Sequence, residues 1–193
     1  MKRRGWGLLL IIFIVGGLLG AGAGIGSVFV NRYTSTDAFC TSCHSMKFVG
    51  NDPHFIHSAH RSNALGIRPS CGDCHIVKTN WFDETLDHVT SGFHDTIAEM
   101  THDYSDPKVW AKRRIALAHR VRETMRKQDS VTCRSCHDRI AVRPTSTRGK
   151  AAHALMREGR MTCIDCHFNL VHAPVPPTIE FIRSSGISGG AKK

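Results

Sequence analysis

Cys40-Thr41-Ser42-Cys43-His44, Cys71-Gly72-Asp73-Cys74-His75, Cys133-Arg134-Ser135-Cys136-His137 and Cys163-Ile164-Asp165-Cys166-His167 are four copies of one pattern, C-x-x-C-H. Together they use all eight cysteines of the 193-residue chain. The pattern is the attachment site of a c-type haem. Two thiols at this spacing reach the two vinyl groups on one porphyrin edge and form thioethers, while the adjacent imidazole is carried under the ring as an iron ligand. Zinc pairs two C-x-x-C units into one tetrahedral site and needs no histidine after every second cysteine. Disulfides would explain an even count but not four identical pentads. The cofactor expectation is therefore four c-type haems. Cys40, Cys43, Cys71, Cys74, Cys133, Cys136, Cys163 and Cys166 would be the covalent attachments, and His44, His75, His137 and His167 the proximal ligands.

Outward from the pentads, composition fits a haem-filled interior. Only two tyrosines and a high density of charge leave a thin apolar core, which buried porphyrins would complete. The fold class expected is mostly α, with little or no sheet, and the apoprotein should fold poorly. A formal charge of +10 raises nucleic acid or anionic lipid as partners. Eight haem propionates would bring the holoprotein to about +2 with all irons ferrous, so the basic residues have an internal use and a nucleic-acid role is not favoured. Thioether attachment takes place outside the cytoplasm.

Gly5 to Val30 is an uncharged run of 26 residues. As a helix it would be about 39 Å long, against a hydrocarbon layer of about 30 Å. Lys2, Arg3 and Arg4 precede it, so the positive-inside bias puts residues 1–4 in the cytoplasm and the haem domain in the periplasm. Ala21-Gly22-Ala23 resembles a signal-peptide cleavage site, but the apolar run continues past it, which favours a retained anchor in the inner membrane. Gly16, Gly20 and Gly24, with Gly22 and Gly26, bare one helix face and suggest a possible homodimer contact.

An internal repeat spans the remainder. His44 to His60 is 16 residues and so is His137 to His153; Ala59-His60 matches Ala152-His153, and Gly66 to Cys71 matches Gly159 to Cys163 with one deletion. The period of about 93 residues divides the domain into a first di-haem half (31–75), a linker (76–132), a second half (133–172) and a Pro- then Gly/Ser-rich flexible tail (173–193). A low-spin haem needs a second axial ligand. His60 and His153 are the first candidates because the repeat keeps both, and His172 is next; spacing does not say which serves which haem. His54 and His57 fit surface or propionate contacts better. Met46, two residues past His44, places a thioether sulfur beside the first haem, where packing is the ordinary alternative.

Several of these motifs together resemble the NapC/NirT family of membrane-anchored tetrahaem cytochromes. The likeness is carried by the single anchor, Phe39-Cys40-Thr41-Ser42-Cys43-His44-Ser45-Met46, His60…Asn63…Gly66-Ile67-Arg68…Cys71-Gly72-Asp73-Cys74-His75, Asp129-Ser130…Cys133 to His137, and Cys163 to His167 with His172. It covers roughly residues 1–177. The resemblance implies that the first haem lies nearest the membrane, and that its ligand is Met46 or His44. It also implies a histidine three residues past the second pentad, where this chain has Lys78.

In the linker, Asp106 and Pro107 mark the N-cap and first position of a basic helix running to about Lys127. Its Arg and Lys residues read as a solvated face that also serves propionates, and His119 within it as a packed or propionate-bonding side chain rather than a ligand. Upstream, His88, His94 and Asp95 form a cluster of imidazoles and acid. Members of the family oxidise quinol at the membrane surface, which requires a base beside the quinol hydroxyl. By resemblance, Asp95 takes the place of the family's acidic residue near the first haem and His88 that of a basic quinol-contacting residue, with His94 in reserve; helix-capping surface acids are the alternative.

The function expected is a quinol dehydrogenase, passing electrons from membrane menaquinol or ubiquinol to a periplasmic reductase. The alternatives are a quinone reductase fed by a periplasmic oxidation, or a simple tetrahaem carrier with no quinol site.

Overall fold

The computed structural model describes residues 2–186. Among them the backbone forms helices and no strand, as the sequence leads one to expect. The N-terminal helix, α1 (Lys2–Thr34), is continuous, and over Gly5–Thr34 it is long and apolar enough to cross a membrane, with none of its most apolar stretch buried against the protein. Nothing in this run breaks the helix: it has no proline, and its glycines are spread among leucine and isoleucine.

The anchor enters the domain without a linker. Ser35 N–H donates to the Asn31 carbonyl (3.1 Å), and the Ser35 carbonyl accepts from Gly72 N–H (3.2 Å) in the second pentad. A Cβ on Gly72 would lie 2.6–2.8 Å from Ser35 side-chain and backbone atoms, so this close approach requires glycine. Alongside the C-terminal end of α1 runs α6 (Trp81–Thr101). Trp81 Nε1 donates to Ser27 Oγ (2.9 Å), buried Asn31 Nδ2 donates to Thr85 Oγ1 (2.9 Å), and His88 Nε2 lies 3.1 Å from Ser35 Oγ.

Between them lie α2 (Asp37–Cys40), α3 (Met46–Gly50), α4 (Pro53–Ile56) and α5 (Cys71–His75). The linker then continues as α6 and α7 (Pro107–Lys127), followed by α8 (Val131–Arg134), α9 (Thr147–Arg157), α10 (Cys163–Cys166) and α11 (Ile179–Ser184). Asp106 caps α7, accepting from Lys108 N–H (2.7 Å), with Pro107 at its first position. Within the linker, the sequence led one to expect a helix only here. Residues 81–101 are helical as well, with Asn80 as N-cap and Phe82, Leu86, Val89, Phe93, Ile97 and Met100 recurring every three to four residues along one exposed side. The His/acid cluster on the other side drew the reading away from that period.

The repeat is visible in backbone chemistry. Gly66 and Gly159, one period apart, both turn the chain with φ near +70°. The second pentad of each half opens with a reciprocal cap: Ser70 with Asp73, and Thr162 with Asp165. The side chain three residues before each half's first cysteine then accepts an N–H from that capped turn. Asp37 takes it from Cys71 (2.8 Å) and Ser130 takes it from Ile164 (3.1 Å). Ser130 is fully buried and, with Asp129, adopts left-handed φ, a cost that a non-glycine pair bears only where the surroundings hold it. Arg134 and Arg139 both bridge to the Asp129 carboxylate.

The C-terminal segment, expected as a flexible tail over 173–193, is described over 173–186, where three residues are buried; residues 187–193 lie outside the described residues. Val175 and Phe181 are each 2 % exposed. Arg114, Arg122 and Arg126 of α7, expected on a solvated face, bind it instead. Arg126 donates to Asp165 Oδ1 (2.6 Å), Ser184 Oγ (2.5 Å) and the Phe181 carbonyl (3.0 Å), with its guanidinium over the Phe181 ring. Pro and Ser content marked this stretch as irregular, but irregular backbone orders well when arginines take its carbonyls. The buried apolar set among the described residues is small: Phe55, Tyr104, Met156, Met161, Ile164, Val175 and Phe181.

Gly72→Ala is expected to cost about 1–3 kcal/mol through the forced shift against Ser35, read as a lowered thermal midpoint of the intact protein. Gly92→Ala, with open space around its Cβ position, should leave that midpoint unchanged or raise it.

Candidate haem centres and the face of the first pentad

Three imidazole pairs stand out. His60 faces His137 with ring centroids 6.1 Å apart, His75 faces His172 at 6.1 Å, and His153 faces His167 at 6.2 Å. A metal–imidazole bond is about 2 Å long, so two imidazoles sharing one ion on opposite sides hold their centroids about 6 Å apart once the ring radii are added. Each pair joins the histidine of a pentad to one of the three histidines singled out as second ligands. His153 donates Nδ1–H to the Gly149 carbonyl (2.8 Å), leaving Nε2 as the free lone pair, the arrangement typical of a ligand histidine. The His75 ring lies deep among protein atoms yet is open to the gap it faces; burial, then the neighbouring His172, push its pKa down to about 4, which keeps it neutral and able to donate to a metal.

The pairing breaks the repeat. His153 meets the second pentad of its own half. Its counterpart His60 crosses to the first pentad of the other half, and His172 crosses back to His75. The pentads themselves form a chain. α2 packs on α5 within the first half, Ser130 Oγ takes the Ile164 N–H in the second, and α5 packs on α8 between the two halves. No two cysteines are bonded to each other, and no three His, Cys, Asp or Glu side chains among the described residues converge as a zinc site would require.

Haem fits these surroundings in a second respect. Arg113 Nε, Arg139 Nε and His119 Nδ1 are buried without a hydrogen-bond partner. An unmet buried donor costs about 1–3 kcal/mol, and propionates of haems attached at the pentads would meet such donors. Lys78, where the family resemblance implied a histidine, is engaged by Asp73 of the same pentad (2.8 Å), while the pentad's own His75 faces His172.

These features agree with comparison to known proteins. The model of the NapC/NirT cytochrome c family, N-terminal region, matches residues 2–177. The chain belongs to the NapC/NirT family. With four pentads it is a tetrahaem c-type cytochrome of electron transport, anchored by one N-terminal apolar helix. A probable tetraheme cytochrome c-type protein of Nitrosomonas europaea is 38% identical over 170 residues, which cover 84% of this chain and 71% of the relative. Cytochrome c-type protein TorY of Haemophilus influenzae is 34% identical over 176 residues, 89% of this chain but 47% of TorY, so the chain spans about half the length of that relative. Denitrification system component NirT of Stutzerimonas stutzeri is 28% identical over 187 residues, 89% of this chain and 90% of NirT. No solved structure matches.

Family membership turns attention to the first pentad, which has no facing imidazole of the kind the other three have. His44 is exposed and Met46, the first residue of α3, is half-buried. Ser45 between them is buried, and Glu99 of α6 accepts from both its hydroxyl and its N–H (3.4 Å to nitrogen). Glu99 and Asp95 lie one turn apart on α6, and both carboxylates are within electrostatic reach of the Cys43 sulfur. Asp95 is raised above the ordinary carboxylate range by the crowding of protein around it and then by Glu99, with His94 opposing. His94 is exposed beside Phe93. Sequence reading did not single out Glu99; its spacing of four from Asp95 was the available signal.

His88 lies between α6 and the end of the anchor. Its Nδ1 is 2.9 Å from the Glu84 carbonyl and its Nε2 is 3.1 Å from Ser35 Oγ. Both ring nitrogens are occupied by the protein, so it ties α6 to the end of the anchor.

If the imidazole pairs each serve one iron, His153→Gly leaves four covalent haems by intact mass but converts one from low-spin to high-spin in the electron paramagnetic resonance spectrum. His57→Gly, outside the pairs, leaves all signals in place.

Proposed function

We propose that this cytochrome is a quinol dehydrogenase of the inner membrane, taking electrons from menaquinol or ubiquinol and delivering them to a periplasmic reductase. The observation that carries the reading is a pair of carboxylates, Asp95 and Glu99, turned toward the first pentad on a helix bonded along the outer end of the anchor. The haems, held by the eight pentad cysteines, supply one-electron acceptors when bound. Their axial ligands in this reading are His137 with His60, His75 with His172, His167 with His153, and Met46 or His44 at the first pentad.

The remaining chemistry belongs to the chain. A quinol gives up two protons with its two electrons, so a base must stand beside its hydroxyl. Asp95 takes that proton at a carboxylate oxygen. Its pKa, raised above that of a free carboxylate, brings it nearer to neutral pH, where a base both accepts and releases protons readily. Glu99 holds Ser45 and so fixes the backbone that carries His44 and Met46, while its charge sustains the raised Asp95 pKa. His94, exposed at the rim, offers a path for the proton to solvent. His88, through Ser35, keeps the carboxylate face at the level of the anchor's outer end. Facing the domain outward follows from Lys2, Arg3 and Arg4 at the inner end. The name of the NirT relative, a denitrification system component, is the support for a respiratory partner.

Asp95→Asn should lower quinol oxidation by ~10²-fold or more with normal haem content; undiminished turnover would remove Asp95 from the mechanism. The base must be ionised, so the rate falls as pH drops through the Asp95 pKa. Glu99→Gln removes a like charge, lowers that pKa and moves the acid limb of the rate profile to lower pH. His94→Gln removes an opposing charge and moves the limb upward wherever His94 is protonated.

A further inference from the structure

Arg122 stands in the C-terminal third of α7, a helix with no pentad, yet it is only 4 % exposed. Burying a guanidinium is costly unless its donors are met. Its hydrogen bonds all go to one short loop, and its guanidinium also lies over the Phe168 ring (4.8 Å to the centroid), just before that loop begins. Nη2 donates to Asn169 Oδ1 (2.9 Å) and to the Val175 carbonyl (2.6 Å), and Nη1 to the Pro176 carbonyl (3.4 Å). Asn169 Oδ1 also accepts from Val175 N–H (3.2 Å), so the loop is pinched shut at the point the guanidinium grips. Two turns earlier on α7, Arg114 donates to the Ala173 and Pro174 carbonyls (3.0 and 3.4 Å). Between these gripped residues in the chain lies His172, itself exposed. Its ring lies against Phe55 (centroids 5.8 Å apart, nearly parallel) and looks across 6.1 Å to His75. A loop of this length without regular secondary structure would otherwise sample many backbone states.

We propose that Arg122 is a positioning residue: it fixes the Asn169–Pro176 loop so that His172 is presented to the iron carried by the second pentad. The assignment rests on reading His75 and His172 as one ligand pair. It gives the only buried arginine among the described residues a task that neither charge balance nor propionate binding explains, since none of its bonds reaches a pentad. Arg126, one turn further on, binds Asp165, Phe181 and Ser184 and so holds the chain on either side of the loop without touching it.

The test uses the full-length, haem-loaded protein in detergent and counts haems that bind carbon monoxide after reduction, which only an iron lacking a protein ligand does readily. His172→Gly sets the scale. It should raise the count by one per chain, and added imidazole should return it to the parental value. Arg122→Met is expected to raise the count by a substantial fraction of one, with Arg122→Lys between it and the parent. Arg126→Met should lower the thermal midpoint and leave the count unchanged. Asn169→Ala, an exposed position, supplies the same measurement if Arg122→Met does not accumulate, and should also raise the count. No increase in Arg122→Met or Asn169→Ala, beside a full increase in His172→Gly, overturns the positioning role. No increase in His172→Gly overturns the ligand pairing itself.

Discussion

A chain that buries so few apolar side chains must be held together by something other than a hydrocarbon core. The facing imidazoles are the evident candidates, because two of the three pairs join residues from different halves of the repeat. His60 reaches forward to His137 and His172 reaches back to His75. A ligand bond at each crossing closes a loop of many tens of residues. Loop-closure entropy of that kind is lost only once, when the bonds form. Folding and haem attachment are coupled in this architecture in the way metal binding and folding are coupled in small metal-dependent domains. The reciprocal caps at Ser70–Asp73 and Thr162–Asp165 then have a local task, which is to hold each pentad in the turn that presents its histidine.

Much of this was legible in the residues. Thioether chemistry fixes the C-x-x-C-H spacing, so the pentads declare themselves. The anchor follows from length against bilayer thickness, and the start of α7 from the Asp106-Pro107 pair. The repeat identified His60 and His153 as equivalent in sequence, yet they face different pentads. Equivalence in sequence records descent from one unit, whereas the partner of a long-range contact depends on how two copies pack, which no local pattern encodes. The contacts of the C-terminal segment were illegible for a related reason. Composition reports what a stretch can do alone, and here Arg114, Arg122 and Arg126, about fifty to sixty residues away, supply the donors that order its carbonyls.

The face of the first pentad illustrates how one helix can serve two solvents. Along α6 the apolar side chains from Phe82 to Met100 stay exposed, while Glu99 is half-buried against Ser45 and Asp95, itself exposed, lies within electrostatic reach of the first pentad. The carboxylates thereby sit in surroundings that raise the Asp95 pKa, without the backbone of the site having to be irregular. A site on a helix is held more rigidly than one on a loop. His88, first noticed for its chemistry, contributes through geometry by keeping that helix in register with the anchor.

Ser35 is bonded to α1 through its N–H, to the second pentad through its carbonyl and to α6 through its hydroxyl, so the anchor helix runs directly into the domain. The haem domain therefore cannot reorient on a tether; its tilt and height above the lipid are those of the anchor itself. Such a protein behaves as a fixed post, presenting one constant profile to the aqueous side. Whatever exchanges electrons with it must supply the diffusion and find the correct approach.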